Sequence, residues 1–119
     1  ITIHGTSDGV DVTPGGETSV ISFTADNPST GHQFVTTVHL VSVDAFSNSA
    51  RTAAIPTGTG PGKCDTTMYS MPDVTANQDI APGNGTALTA TGVLSLANDL
   101  ANNQDACKGA YLTLNLTSS

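Results

Sequence analysis

"CKGAYLTLNL", residues 107–116, decides how the rest of the chain is read. Leu112, Leu114 and Leu116 alternate with Tyr111, Thr113 and Asn115, a period of two that predicts a strand with one face toward a core. Cys107, just before it, is either a reactive thiol beside Asp105 and Lys108 or one end of a staple anchoring that strand. Cys64 is the only other cysteine, and 42 residues separate the two. One pair in a charge-poor, secreted-looking chain points to a disulfide, and closing a loop of this length contributes about 4 kcal/mol. The competing nucleophile needs a base, yet nothing in the spacing of His4, His32 or His39 positions one for Cys107. No CxxC or HxxxH pattern points to a metal, so no cofactor is expected.

Composition agrees with a strand-built protein. The 119 residues suit a single domain, 1–119, large enough to bury roughly two thirds of the surface its unfolded chain exposes. Charged residues are 11% of the chain, against about 25% in an ordinary soluble domain. Nineteen Thr and eleven Ser stand in their place, and the branched Cβ of Thr favours strands over helices. The net charge is -7 and the only bases, Arg51, Lys63 and Lys108, are scattered. A nucleic-acid partner, which needs a basic footprint, is therefore not expected. No stretch approaches the roughly 18 apolar residues of a membrane span. A chain opening on Ile1, with no signal peptide of its own, fits a trimmed and exported product.

Other strands follow from alternation and turn chemistry. Ile21, Phe23 and Ala25 alternate with Ser22 and Thr24, and "DNPSTG" (residues 26–31) ends that run. "FVTTVHLVSV" (34–43) is apolar on parts of both faces, as a central strand should be. "IPTGTGPGK" (55–63) reads as a loop, and shorter strands are expected at 67–71, 87–91 and 93–96. Val93, Leu96, Ala97 and Leu100 also fall at helical spacing, but the surrounding hairpin signals favour the strand. "DVTPGGETSV" (11–20) echoes "DIAPGNGTAL" (79–88), which reads as two equivalent Pro-Gly turns at sandwich edges, each leading into a strand. About seven strands with such punctuation describe an immunoglobulin-like Greek-key β-sandwich.

Candidate sites beyond the cysteines are few. Acids and amides cluster at 7–11, 25–29 and 98–105, where calcium ligation competes with ordinary turn chemistry, and turn chemistry is the stronger reading. The one glutamate, Glu17, sits in a turn, which disfavours a two-carboxylate glycosidase. Tyr69 and Tyr111 are the only candidate platforms for a sugar, and an ordinary strand Tyr with a wet hydroxyl is the stronger reading of each. Asn84 in "NGT" and Asn115 in "NLT" match the glycosylation acceptor pattern. At the N-terminus Ile1, Thr2, Ile3 and His4 form a short β segment set off by "TSDG", so that residues 1–9 are either the first strand of their own sheet or an arm and linker. As an arm, the segment would add to a neighbour's open edge and propagate into a filament.

The segments "GKCDTTMYSM" (62–71), "PGNGT" (82–86) and "NQDACKGAYLTLNLT" (103–117) together resemble a group of small exported actinobacterial proteins with a predicted immunoglobulin-like sandwich and an NQxAC segment near the C-terminus. The resemblance covers residues 62–117. It implies that Cys64 pairs with Cys107, that residues 112–116 form the terminal strand, and that the protein is exported; it implies no catalytic residue.

The functional expectation is a non-enzymatic, extracellular structural or adhesive module at the cell surface, whose partners are other copies of itself or cell-surface components. The alternatives are a filament subunit built by exchange of the N-terminal strand, or a carbohydrate- or calcium-dependent binding module using loops near Asp26 and Asp99.

Overall fold

The computed structural model describes residues 1–9, 11–98 and 104–119. Those residues hold seven strands: β1 (Thr2–Ser7), β2 (Ser19–Asn27), β3 (Gln33–Phe46), β4 (Tyr69–Ser70), β5 (Val74–Ile80), β6 (Gly83–Leu96) and β7 (Tyr111–Ser118). Two short 3-10 turns, Thr66–Met68 and Asp105–Cys107, complete the elements, and among the described residues no helix is long and apolar enough to cross a membrane. One sheet runs β1-β2-β6-β4 and the other β5-β3-β7, all pairings being antiparallel. After β2 the chain passes from one sheet to the other at every connection, so the two antiparallel sheets are stitched together into a β-sandwich.

The core lies between the sheets. Along β2 the alternation is complete: Ser19, Ile21, Phe23, Ala25 and Asn27 are buried, while Val20 and Ser22 face outward. Opposite them, Val35, Val38 and Val43 of β3 and Ile80 of β5 close the layer, each buried apolar side chain contributing about 1.5–3 kcal/mol. Buried Asn27 is satisfied throughout. Its Nδ2 donates to the carbonyls of Gly31 and Ile80, both at 2.9 Å, and its Oδ1 accepts from the Ser29 N–H and Oγ. Within the stretch 25–29, residues 25–27 are thus the end of β2, and Asn27 opens the turn that follows and ties β2 to the end of β5.

Several expectations are corrected. The two short strands expected at 87–91 and 93–96 are one continuous β6, which passes through Gly92 with no room for a side chain. A Cβ there would stand 3.1 Å from both the Phe23 ring and Val74 Cγ2. Against β2 the register of β6 slips by two residues, because Ser22 pairs with Thr91 while Thr24 pairs with Ala87. The side-chain amide of Gln78 replaces the missing backbone rung by donating to the Ala87 carbonyl and accepting from the Thr89 N–H, both at 3.0 Å. The strand expected at 67–71 shrinks to β4. Its first residues form the 3-10 turn, capped by Asp65 Oδ1, which accepts from the Thr67 N–H.

The two Pro-Gly turns each lead into a strand, β2 and β6, but they are not equivalent. The first joins β1 and β2 within one sheet, with Gly15 N–H donating to the Leu96 carbonyl at 2.8 Å; the second carries the chain from β5 across to the other sheet. Thr6 and Ser7 continue β1, pairing with Ser22 and Ile21, where the Gly/Asp-rich composition had suggested a linker. Residues 93–96 are strand and Ala97 and Asn98 are not helical; Leu100, the last position of the helical spacing, lies outside the described residues.

Candidate functional site

Cys64 and Cys107 form a disulfide with a Cα separation of 5.0 Å, both residues buried. It joins the loop after β3 to the 3-10 turn that leads into β7, so the cystine anchors the last strand at its start. Cys64 is held in turn by its N–H, which donates to the Pro56 carbonyl at 2.9 Å. With both sulfurs bonded to each other, the thiol reading of Cys107 is closed.

Beside this staple the sandwich opens. A cleft of about 530 Å³ lies between β1 of one sheet and β7 of the other, lined among others by Ser7, Ser19, Ile21, Tyr69, Leu112 and Leu114. Its far end is shut where β1 touches β7: a Cβ on Gly5 would meet both Ile21 Cγ2 and Leu116 Cδ1 at 3.0 Å. The lining mixes polar and apolar groups in nearly equal measure. Ser19 Oγ is buried and bonded to Ser7 Oγ and Asp8 Oδ1. The Tyr69 hydroxyl donates to the Cys107 carbonyl at 3.4 Å, and burial pushes its pKa up to about 12, so it stays protonated.

β7 forms the rim of this cleft, and its leucines are only half covered. Leu112, Leu114 and Leu116 pack against the core yet keep intermediate exposure along the whole strand. The backbone explains why. Ser119 donates its N–H to the Thr37 carbonyl at 3.0 Å and its carbonyl accepts from Thr36 at 2.8 Å, so the odd-numbered residues of β7 face β3. The Leu112 carbonyl accepts instead from Arg51 Nε at 3.1 Å, so the even-numbered residues face away. No strand pairs that outer flank among the described residues.

Each histidine is paired with an aspartate across neighbouring segments. His4 Nε2 lies 2.8 Å from Asp26, His32 Nδ1 meets Asp79, and His39 Nδ1 lies 2.8 Å from Asp73. Sequence reading missed that His39 Nε2 also lies 3.4 Å from Ser119 Oγ, which gives the connectivity of an Asp-His-Ser relay. The surroundings are those of a strand surface. The Ser119 N–H, which could serve an oxyanion, is spent on Thr37, and neither this cleft nor a smaller one beside β4 is lined by any of the three residues.

The remaining predicted positions fall as follows. Asp26 sends one oxygen to the Gly85 N–H at 2.8 Å and the other to His4, and these bonds, the Gly85 one foremost, hold its carboxyl below the ordinary aspartate value. Asp99, its expected counterpart in a binding loop, and Asn103 lie outside the described residues, as does Val10. Among the described residues no three His, Cys, Asp or Glu side chains gather as a metal site would require. Tyr69 is buried and offers no sugar platform, whereas Tyr111 is exposed at the start of β7. Asn84 is exposed; Asn115 has its Nδ2, the atom a glycan would take, donating to Ser42 Oγ at 2.9 Å and Asp44 Oδ2 at 3.0 Å. Ile1 packs partly against the core, Ile3 is buried, and Thr2, Ile3 and His4 pair with Asp26, Ala25 and Thr24 in β1's own sheet.

No family model matches the chain, and neither the curated proteins nor the solved structures contain a match to it.

Proposed function

We propose that the chain is a non-enzymatic, extracellular structural or adhesive module that works by surface contact along the open edge of β7. The observation that carries this reading is the half-covered leucine row beside an unpaired strand flank. A buried disulfide supports an oxidising compartment, and a surface poor in charge but rich in hydroxyls suits broad contact better than the orientation of a charged substrate. Growth by exchange of β1 would have to release Ile3 from the core and His4 from Asp26, so the reading puts the contact at β7 instead of the Ile1–His4 segment.

Protease shaving and fractionation of intact cells that make the protein test this reading. The chain is expected in the shaved fraction with its disulfide intact, and recovery of a reduced chain only from the cytosol would refute it. The non-enzymatic part has its own check. A fluorophosphonate probe is expected to leave Ser119 unlabelled, and labelling abolished by His39→Ala would establish the relay as a working one.

A further inference from the structure

The four strands at the sheet edges differ in one respect. β4 is two residues long, β5 carries Asp79 and a kink at Asn77 with φ 45°, and β1 is anchored at His4 by Asp26. Short length, charge and irregular backbone are the devices that keep an edge from templating another strand. β7 has none of them: its eight residues, YLTLNLTS, contain no charge, Pro or Gly.

Its sequence is also self-complementary. Residues 113–117 read Thr-Leu-Asn-Leu-Thr, the same in both directions about Asn115. Two copies of such a strand, run antiparallel about a two-fold axis at Asn115, set Thr113 against Thr117, Leu114 against Leu116 and Asn115 against itself. Backbone parity fits that arrangement. Because the even-numbered residues face outward, Leu114 and Leu116 would exchange both N–H···O bonds with their mates, and Asn115 would form a non-hydrogen-bonded pair on the axis. Arg51, which covers the Leu112 carbonyl, limits the pairing at one end.

We propose that β7 is a self-recognition edge that pairs antiparallel with β7 of a second copy across a two-fold axis at Asn115. Charge favours this occupant at this place. A chain of net charge -7 repels its own copies, and β7 is an eight-residue edge with no charged side chain where two can meet. The contact is isologous and closes as a dimer, joining two three-stranded sheets into one of six. The proposal rests on the reading of the chain as a contact module, but the two fail separately, since dimerisation is measured in solution and location in cells.

The test uses Thr113 and Thr117, whose side chains lie on the face of the sheet opposite the leucine row. In the palindromic register these positions oppose each other across the interface, so T113K/T117K sets Lys against Lys twice and T113K/T117E sets Lys against Glu twice. Sedimentation across a concentration series is expected to show a wild-type dimer, dimerisation retained in the Lys/Glu variant, and dimerisation weakened by about tenfold or more in the Lys/Lys variant. Unchanged thermal melting confirms the fold in both. As a second measurement, Asn115→Cys is expected to form an intermolecular disulfide on mild oxidation, because its Cα atoms meet on the axis, while Thr113→Cys is not. A wild-type chain that is monomeric throughout, an open polymer, or equal behaviour of the two charge variants would overturn the proposal.

Discussion

β2 and β7 carry the same sequence pattern and meet different fates. Ile21, Phe23 and Ala25 alternate as regularly as Leu112, Leu114 and Leu116, yet the first set is sealed and the second is half open. The cause is the neighbourhood of each strand. β2 has β1 on one flank and β6 on the other, whereas among the described residues β7 has only β3, and the cleft lies where a further neighbour would be. Alternation tells which side chains face inward; it says nothing about what lies beside the strand.

Substitutions can break or sharpen this comparison. The largest effect is expected for Phe23→Ala, which removes a ring at 1% exposure from beneath Gly92 and should cost about 3–5 kcal/mol in denaturant unfolding. Replacing both cysteines by Ala should cost about 4 kcal/mol, the chain-entropy value for a sequence separation of 43. Hydrogen exchange in that variant should rise first around residues 104–111, the approach to β7, before it reaches β2. Gly92→Ala forces a methyl against Phe23 and Val74 and should cost about 1–3 kcal/mol by overpacking. Leu114→Ala, by contrast, should cost only about 1–2 kcal/mol, because that side chain is only partly buried. A loss as large as that of Phe23→Ala would mean the edge is covered.

The smallest expected effect lies at the outer end of β2, at the partly exposed Asp26. Its carboxyl is held below the ordinary value of 3.8 by the Gly85 N–H and then His4. A lowered folded-state value stabilises the fold above the ordinary aspartate range, and that contribution disappears as pH falls through the lower value. Thermal melting of Asp26→Asn should therefore lie slightly below wild type at pH above 4 and converge with it at the acid end. A gap that persists in strong acid would remove the carboxylate from the account.

Much of the sandwich was legible because Thr-rich alternation and Pro-Gly punctuation act locally. The inner faces of β2 and β7, the central position of β3 and the pairing of Cys64 with Cys107 all follow from residues within or beside the strands concerned. β5 was not legible. Its inward residues Val74 and Ile80 are separated by the kink at Asn77, and Asn, Gln and Asp between them carry no strand signal. Gly92 was silent for a related reason: its role is fixed by Phe23, Met71 and Val74, distant in sequence. The site was the least legible part. A cleft between β1 and β7, or an aspartate and a serine converging on His39, depends on sheet order, which alternation does not encode.

The contrast between the covered and the open strand is most directly tested by residue-resolved amide exchange in dilute, monomeric protein. Leu114 and Leu116, whose N–H groups face away from β3, should exchange rapidly while Thr113 and Asn115 between them are protected, and Ile21 and Phe23 of β2 should be protected with no such alternation. Protection of Leu114 and Leu116 equal to that of Ile21 and Phe23 in the dilute monomer would contradict the account, because it would require a partner along the flank of β7 within the single chain.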